Sequence, residues 1–258
     1  MAEICGRRIE YEQLHPDVER PGRPTLVFLH EGLGSVSMWK DFPGRVVAAT
    51  GCPALVYSRP GHGRSALPSR PRGLRYLHDE ATDVLPALLN HFDIRSSVLL
   101  DHSDGGSIAL IAAGSGSTDP SGLIVMAPHV MVEDVTIRAI TAARDAYENT
   151  DLRDRLGRFH ADPNHVFRAW NDVWLRPDFR GWNIEEYLPT IGCPILALQG
   201  EDDEYATLDQ IERIARRAHR VELLAVPDCG HSPHRDQPLT VIGAISRFVD
   251  SLPSPTAG

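Results

Sequence analysis

Residues 98–110 read Val-Leu-Leu-Asp-His-Ser-Asp-Gly-Gly-Ser-Ile-Ala-Leu, and this stretch decides the fold. The apolar run at 98–100 is typical of a buried strand, and the residues from Ser107 onward are typical of a helix. Ser103 therefore lies on a tight connection between a strand and a helix, where its hydroxyl projects above the sheet. Gly105 lets the helix approach the strand closely. The stretch predicts a strand, a sharp turn that carries Ser103, and a helix.

Short apolar runs continue on both sides of this stretch and alternate with helical patterns. Continuous apolar runs are expected for strands that are buried on both faces of a parallel sheet. The alternation of strand and helix implies right-handed crossovers within one sheet, and so an α/β fold. The predicted strands are 25–29, 54–57, 97–100, 123–126, 195–198 and 221–226, and the predicted helices are 74–92, 103–113, 208–218 and 239–252.

Residues 129–189 interrupt the alternation, because they contain helical patterns and no convincing strand. We expect this block to form an inserted helical cap, with residues 1–128 and 190–258 forming the core. Three of the four tryptophans lie in the block. Trp170 and Trp174 are four residues apart and so share one helix face. They either fasten the cap to the core or line an apolar pocket that binds substrate.

Composition limits the partners. The chain has 26 basic and 35 acidic residues, and its net charge of -9 makes a nucleic-acid partner unexpected. No apolar stretch is long enough to span a membrane, and no secretory signal is visible. The four cysteines form no C-x-x-C pair, so we expect no metal site and reduced thiols in a cytoplasmic protein. We expect a small-molecule substrate and no cofactor, and the oligomeric state stays open.

Two backbone amides are candidates for stabilising a negatively charged oxygen. The amide of Asp104 lies at the predicted start of the helix that follows Ser103, where the helix dipole favours negative charge. The loop at 29–35 follows the first long strand, and its glycines let the backbone turn an amide toward a substrate. We assign the second amide to Leu33.

An acid and a base follow two later strands. Acidic residues fill positions 201–204 after the strand at 195–198, and the spacing from the preceding glycine favours Asp203 as the acid that orients a histidine. His231 follows a glycine after the last strand and is our candidate for the general base. The other histidines, including His62, are interpreted as ordinary. The alternatives are Asp202 and Glu201 for the acid, and His234 for the base.

With Ser103, Asp203 and His231 in this chain order, the sequence resembles the α/β-hydrolase-fold enzymes over essentially its full length. The segments that carry the resemblance are LHEGLGS (29–35), SRPGHGRS (58–65), DHSDGGSIAL (101–110), QGEDDEY (199–205) and CGHSPHRDQP (229–238). The resemblance implies an eight-stranded, mostly parallel sheet flanked by helices, with the cap inserted after the sixth strand. It also implies a catalytic triad of these three residues and an oxyanion hole formed by the amides of Leu33 and Asp104.

Two residues depart from the pattern of that family. Glu31 interrupts the usual His-Gly pair, and Asp101 replaces the first glycine of the turn that carries the nucleophile. We expect a serine hydrolase that cleaves a small carboxylic ester or lactone through an acyl-enzyme. The same triad also serves carbon–carbon bond hydrolysis, thioester or amide hydrolysis and perhydrolysis. A non-catalytic small-molecule receptor is the alternative from a different class of protein.

Overall fold

A seven-stranded, mostly parallel sheet runs through the computed structural model, which describes residues 1–18, 20–68 and 71–253. The strand order is β3-β5-β4-β6-β7-β8-β9, and only β3 runs antiparallel to its neighbour. The sheet strands are β3 (Tyr11–Leu14), β4 (Thr25–Leu29), β5 (Ala54–Tyr57), β6 (Ser97–His102), β7 (Gly122–Met126), β8 (Ile195–Gly200) and β9 (Val221–Val226). The predicted α/β fold with a mostly parallel sheet is confirmed.

The count of eight strands in one sheet is not reproduced in the described residues. Two strands at the start of the chain, β1 (Ala2–Ile4) and β2 (Arg7–Ile9), pair only with each other. Glu10 separates β2 from β3, because its backbone N–H donates to the Ser65 hydroxyl (2.9 Å) instead of continuing a ladder. The N-terminal strand is therefore divided into a part that pairs with β1 and a part that pairs with β5.

Ten α-helices lie in the described residues. They are α1 (Phe42–Thr50), α2 (Tyr76–Asp79), α3 (Leu85–His91), α4 (Asp104–Gly114), α5 (Asp134–Asn149), α6 (Leu152–Leu156), α7 (Pro163–Trp174), α8 (Asp209–Arg217), α9 (Pro233–Asp236) and α10 (Pro238–Ser251). The single helix predicted at 74–92 is α2 and α3 joined by a π-helical turn at Glu80–Val84. Pro86 explains the turn, since proline lacks an N–H and its ring clashes with the carbonyl four residues earlier.

The sheet is covered on both faces over strands β4 to β8, as their apolar runs predicted. The burial predicted for 221–226 is wrong, because β9 is an edge strand and exposes Glu222, Leu223 and Ala225. Alternate residues of β4 show this clearly: Leu26 and Phe28 belong to a core with α1 and α10, whereas Val27 and Leu29 belong to a larger core with α2, α3 and α4. Each of these four side chains is fully buried. Because both faces are covered, the loops at the ends of the strands are left to form a site.

The chain between β7 and β8 holds α5, α6, α7 and two short 3₁₀ helices, at Pro177–Phe179 and Glu185–Thr190. Its one described β contact is an isolated bridge between Met131 and Asn183. The division into a core and a separate cap at 129–189 stays a prediction. Among the described residues, no helix combines the length and the apolar character that crossing a bilayer requires.

Candidate active site

Ser103 lies on a strained turn between β6 and α4. Its φ is +54°, a region that side-chain-bearing residues rarely adopt. The turn is tight, because a Cβ added to Gly105 would lie 2.2 Å from the carbonyl oxygen of Leu29. A glycine is therefore required at 105. The predicted strand, turn and helix around Ser103 are present at these positions.

The structure brings Ser103, His231 and Asp203 together. The Nε2 atom of His231 is 3.0 Å from the Ser103 hydroxyl, and its Nδ1 atom is 2.9 Å from each oxygen of the Asp203 carboxylate. Asp203 also accepts backbone N–H groups from Tyr205 (2.8 Å) and Ala206 (3.2 Å). Burial alone would raise the pKa of Asp203, but the hydrogen bond and charge of His231 outweigh it and lower that pKa. The carboxylate is thus held ionised beside the imidazole.

The alternative residues lie elsewhere. Glu201 and Asp202 are exposed, and neither side chain contacts His231. His234 is buried against the rings of Trp39 and Phe42, and burial lowers its pKa to about 3. It therefore packs against these rings as a neutral imidazole, and the imidazole that is hydrogen-bonded to the Ser103 hydroxyl is that of His231.

The loop after β4 and the start of α4 present backbone N–H groups to one cavity. The cavity has a volume of about 480 Å³, and Gly32, Leu33, Ser103 and Asp104 are among its lining residues. Within the described parts of the chain, no acceptor pairs with the N–H of Leu33 or Asp104, the two predicted donors. The N–H of Gly32 is equally unpaired there, and the sequence analysis missed it.

The walls of this cavity divide into apolar and charged parts. Ile140, Leu152, Leu156, Phe159, Trp170 and Trp174 form the apolar part. The charged part has three basic residues, Lys40, Arg155 and Arg235, which are exposed, and three acidic residues, Glu31, Asp104 and Glu204. A cavity of this size with an apolar wall and a few polar groups is typical of a small-molecule site.

The two predicted tryptophans both line the cavity, but their surroundings differ. Trp174 donates from Nε1 to the hydroxyl of Tyr76 (2.9 Å), which in turn donates to the carboxylate of Asp104 (2.8 Å). Trp170 packs on Gly32, where a Cβ would lie 2.4 Å from the indole ring. Trp174 thus lines the cavity and also links α7 to α4 through Tyr76. Substrate binding by either ring stays a prediction.

Glu31, the first departure from the family pattern, is paired with His102. The ring of His102 donates from Nε2 to the carbonyl of His231 (2.7 Å), and its Nδ1 lies 3.5 Å from the Glu31 carboxylate. Burial would raise the pKa of Glu31, but the hydrogen bond and charge of His102 outweigh it and hold that pKa well below its usual value. His102 therefore connects the loop after β4 with the loop that carries His231.

Asp101, the second departure, is fully buried. No hydrogen-bond partner meets either carboxyl oxygen among the described residues, and burial raises the pKa of Asp101 well above its ordinary value. A buried carboxyl without partners is stable only in its protonated form, because an isolated buried charge is very costly. Asp101 therefore adds bulk beneath the turn and not the charge that its residue type suggests.

A family model described as "Alpha/beta hydrolase family" matches residues 26–244. Among curated proteins, the 2-succinyl-6-hydroxy-2,4-cyclohexadiene-1-carboxylate synthase of Escherichia coli K12 is 30% identical over 253 residues, which cover 89% of this chain and 95% of that protein. The protein of the same name from Shigella dysenteriae is 28% identical over 260 residues, with the same coverage of 89% and 95%.

Solved structures show the same fold at lower identity. The enol-lactonase from Burkholderia xenovorans LB400 superposes with a TM-score of 0.74 at 18% identity, covering 97% of this chain and 98% of that one. A thermophilic esterase from Thermogutta terrifontis superposes with a TM-score of 0.71 at 21% identity, covering 94% and 93%.

Proposed function

The chain belongs to the alpha/beta hydrolase family, and we propose that it is a serine hydrolase that cleaves a small carboxylic ester or lactone. The observation that carries the proposal is the continuous hydrogen-bonded chain from the Ser103 hydroxyl through His231 to Asp203. A serine hydroxyl becomes a nucleophile when a neighbouring base takes its proton and an acid orients that base.

In the first half of the reaction, Ser103 is acylated. His231 Nε2 takes the hydroxyl proton while Oγ forms a bond to the carbonyl carbon, and the electron pair of the C=O bond moves onto its oxygen. The tetrahedral intermediate then collapses, breaking the bond to the alcohol oxygen. That oxygen leaves with the proton from His231, and an acyl group remains on Ser103. For a lactone the alcohol stays tethered to the acyl group.

In the second half, water releases the acid. His231 takes a proton from a water molecule, whose oxygen attacks the acyl carbon, and Ser103 leaves with that proton. Both tetrahedral intermediates carry a negative oxygen. We assign its stabilisation to the amides of Asp104 and Leu33, with the amide of Gly32 as a further donor from the same loop. The acyl group fits the apolar wall formed by Trp170 and Trp174.

A second candidate reaction is favoured by the relatives and by the charged part of the cavity. The curated relatives are named as synthases of a cyclohexadiene carboxylate. Lys40, Arg155 and Arg235 line the cavity together with three acidic residues, Glu31, Asp104 and Glu204. Glu31 lies within ion-pair distance of His102 and Asp104 within ion-pair distance of Arg59, which leaves the three exposed basic side chains to meet a ligand. Cationic side chains at a cavity favour an anionic ligand. In this second proposal the Ser103 oxygen takes a proton from a carbon of a carboxylate-bearing substrate while its own hydroxyl proton moves to His231 Nε2. The electron pair of the broken C–H bond forms a C=C bond as a leaving group departs with its own bonding pair and takes the proton from His231, and no acyl-enzyme forms.

The two proposals differ in whether Ser103 becomes acylated. We would assay p-nitrophenyl acetate and butyrate with wild type and Ser103→Ala, using Ser65→Ala as the matched control. Ser65 is buried to the same extent as Ser103, and its hydroxyl donates to a backbone carbonyl. We expect turnover and an acylated Ser103 in a rapid acid quench of the wild type, and loss of both only in Ser103→Ala.

The remaining alternatives have their own readouts. Equal turnover by wild type and Ser103→Ala would remove Ser103 as the nucleophile. Reaction of Ser103 with a fluorophosphonate separates an enzyme from a receptor, since a receptor would bind ligand without being labelled. Thioesters, amides and a carboxylate-bearing carbon acid, tested beside the esters, separate the reactions that share the triad.

A further inference from the structure

We propose that Arg59, His62 and His160 are positioning residues that orient consecutive peptides of the loop after β4, so that its N–H groups face the substrate. The inference rests on the proposed function, because it concerns stabilisation of the oxyanion. None of the three residues is part of the hydrogen-bonded chain from Ser103 to Asp203. Arg59 and His62 come from the segment 58–65 after β5, and His160 comes from the segment between β7 and β8.

Three consecutive carbonyls of the loop each accept a hydrogen bond from one of these side chains. Arg59 Nη2 donates to the carbonyl of Glu31 (2.7 Å). His62 Nε2 lies 3.1 Å from the carbonyl of Gly32, and His160 Nε2 lies 2.9 Å from the carbonyl of Leu33. All three side chains are buried, so these hydrogen bonds are shielded from exchange with water.

Peptide planarity converts these contacts into an orientation of the amides. In a trans peptide the N–H of one residue points opposite to the carbonyl of the residue before it. Holding the carbonyl of Glu31 therefore fixes the N–H of Gly32, and holding the carbonyl of Gly32 fixes the N–H of Leu33. Holding the carbonyl of Leu33 orients the N–H of Gly34, which donates to the carbonyl of Glu31 (3.1 Å) and closes the turn that carries both unpaired amides. The three side chains contact the carbonyl oxygens of the loop. The unpaired N–H groups are those of Gly32 and Leu33, and both residues line the cavity.

The tautomer of His160 is fixed by its second partner. The backbone N–H of Gly63 donates to His160 Nδ1 (2.9 Å), so Nδ1 carries no proton and Nε2 must be the donor to Leu33. Burial lowers the pKa of His160, which favours this neutral ring. The imidazole therefore bridges two backbone segments in one defined direction.

Arg59 also reaches the other side of the oxyanion site. Its Nη1 lies 3.5 Å from the carboxylate of Asp104, and neither side chain of this pair is exposed. One guanidinium thus holds the carbonyl of Glu31 and the residue that follows Ser103. Arginine suits this double contact because its donors form a rigid planar fork. Arg59 thereby connects the two segments that carry the amide donors.

The test uses His160, because an amide side chain can reproduce its two contacts. In His160→Gln, the side-chain oxygen can accept from Gly63 and the nitrogen can donate to Leu33, whereas His160→Leu loses both contacts. His78→Leu is the matched control, since His78 is also buried but packs on the ring of Tyr187. Thermal unfolding of all four proteins separates loss of folding from loss of function.

With p-nitrophenyl butyrate, we expect His160→Leu to lower kcat by about 10- to 100-fold, because a misplaced donor can cost up to about 10² in rate. KM should change by less than about twofold, since the ground-state carbonyl gains little from the donors. His160→Gln should recover most of kcat. The proposal is overturned if His160→Leu loses no more kcat than His78→Leu, or if His160→Gln is as impaired as His160→Leu.

Binding of phenylboronic acid gives a readout that does not depend on turnover. The boron accepts the Ser103 oxygen and becomes tetrahedral, while the hydroxyl proton moves to His231, so a boron-bound oxygen occupies the oxyanion site. We expect weaker binding to His160→Leu by the same factor as the loss in kcat. If wild type shows no turnover that depends on Ser103, the proposed function has failed. Boronate binding still tests the positioning role, because equal affinity of wild type and His160→Leu for phenylboronic acid overturns that role.

Discussion

Replacing Asp203 by asparagine should abolish most of the activity while leaving the fold intact. Asp203 Oδ1 accepts the N–H groups of Tyr205 and Ala206, at 2.8 and 3.2 Å. An asparagine therefore keeps its carbonyl oxygen at that position and places its NH₂ group where Oδ2 lies, 2.9 Å from Nδ1 of His231. When that NH₂ group donates to Nδ1, the ring proton lies on Nε2 and points at Ser103. In that tautomer, His231 cannot take the hydroxyl proton.

The expected loss in kcat is about 10⁴-fold, the size of the effect that the wrong histidine tautomer has in Ser-His-Asp enzymes. The side chain is 1% exposed, so the geometry has little room to relax. We would measure kcat and KM for p-nitrophenyl butyrate, the rate of fluorophosphonate labelling, and the unfolding midpoint in urea. KM and the midpoint should change little, and the labelling rate should fall with kcat.

Asp202→Asn is the control, because it makes the same chemical change one residue earlier on an exposed side chain. It should retain full activity. The reasoning would be refuted if Asp203→Asn kept more than about a tenth of the wild-type kcat, or if Asp202→Asn lost as much. The second outcome would move the acid to Asp202, which the sequence analysis left open.

Two further predictions concern stability. Burial, aided by the charge of His231, lowers the pKa of His129 from 6.5 to about 4, so the folded protein stays neutral at His129 where the unfolded chain takes up a proton. The free energy of unfolding should therefore fall by up to about 3 kcal/mol as the pH drops from 6.5 to 4. Urea titrations of His129→Phe at several pH values should show a smaller fall. The same dependence of unfolding free energy on pH in wild type and His129→Phe would contradict this. Trp174→Phe removes the donor to Tyr76 but keeps an aromatic ring, and we expect it to lower the free energy of unfolding in urea by about 1 kcal/mol. Tyr76→Phe, which removes the acceptor, is measured beside it. If neither variant is less stable than wild type, the hydrogen bond is not stabilising.

The parts of the site that follow strand ends could be predicted from the sequence. Ser103, Asp203 and His231 each come within a few residues of an apolar run, and parallel strands bring their carboxyl ends to one edge of a sheet. Local pattern was therefore enough to place three residues that are distant in the chain. Hydrogen-bond reach between their side chains depends on tertiary packing and needed the structure.

The parts that depend on contacts between distant segments could not be predicted. The division of the N-terminal strand at Glu10 arises because its carboxylate accepts from the Ser58 hydroxyl (2.7 Å) and the Arg64 N–H (3.0 Å), and its own N–H is taken by Ser65. Nothing in the residues around Glu10 signals such partners. His62 was interpreted as ordinary for the same reason, because its contact with Gly32 spans 30 positions.

Trp174 and Trp170 differ in their contacts, and this difference matters for attempts to change the shape of the cavity. A library built at Trp174 will show epistasis with positions 76 and 104, since the three side chains form one connected hydrogen-bond relay. Enlarging that side of the cavity is thereby expected to shift Asp104, the residue that follows Ser103. Leu152, Leu156 and Phe159 have no polar side-chain atoms and take no part in this relay, so mutagenesis that reshapes the cavity is best begun at these three positions.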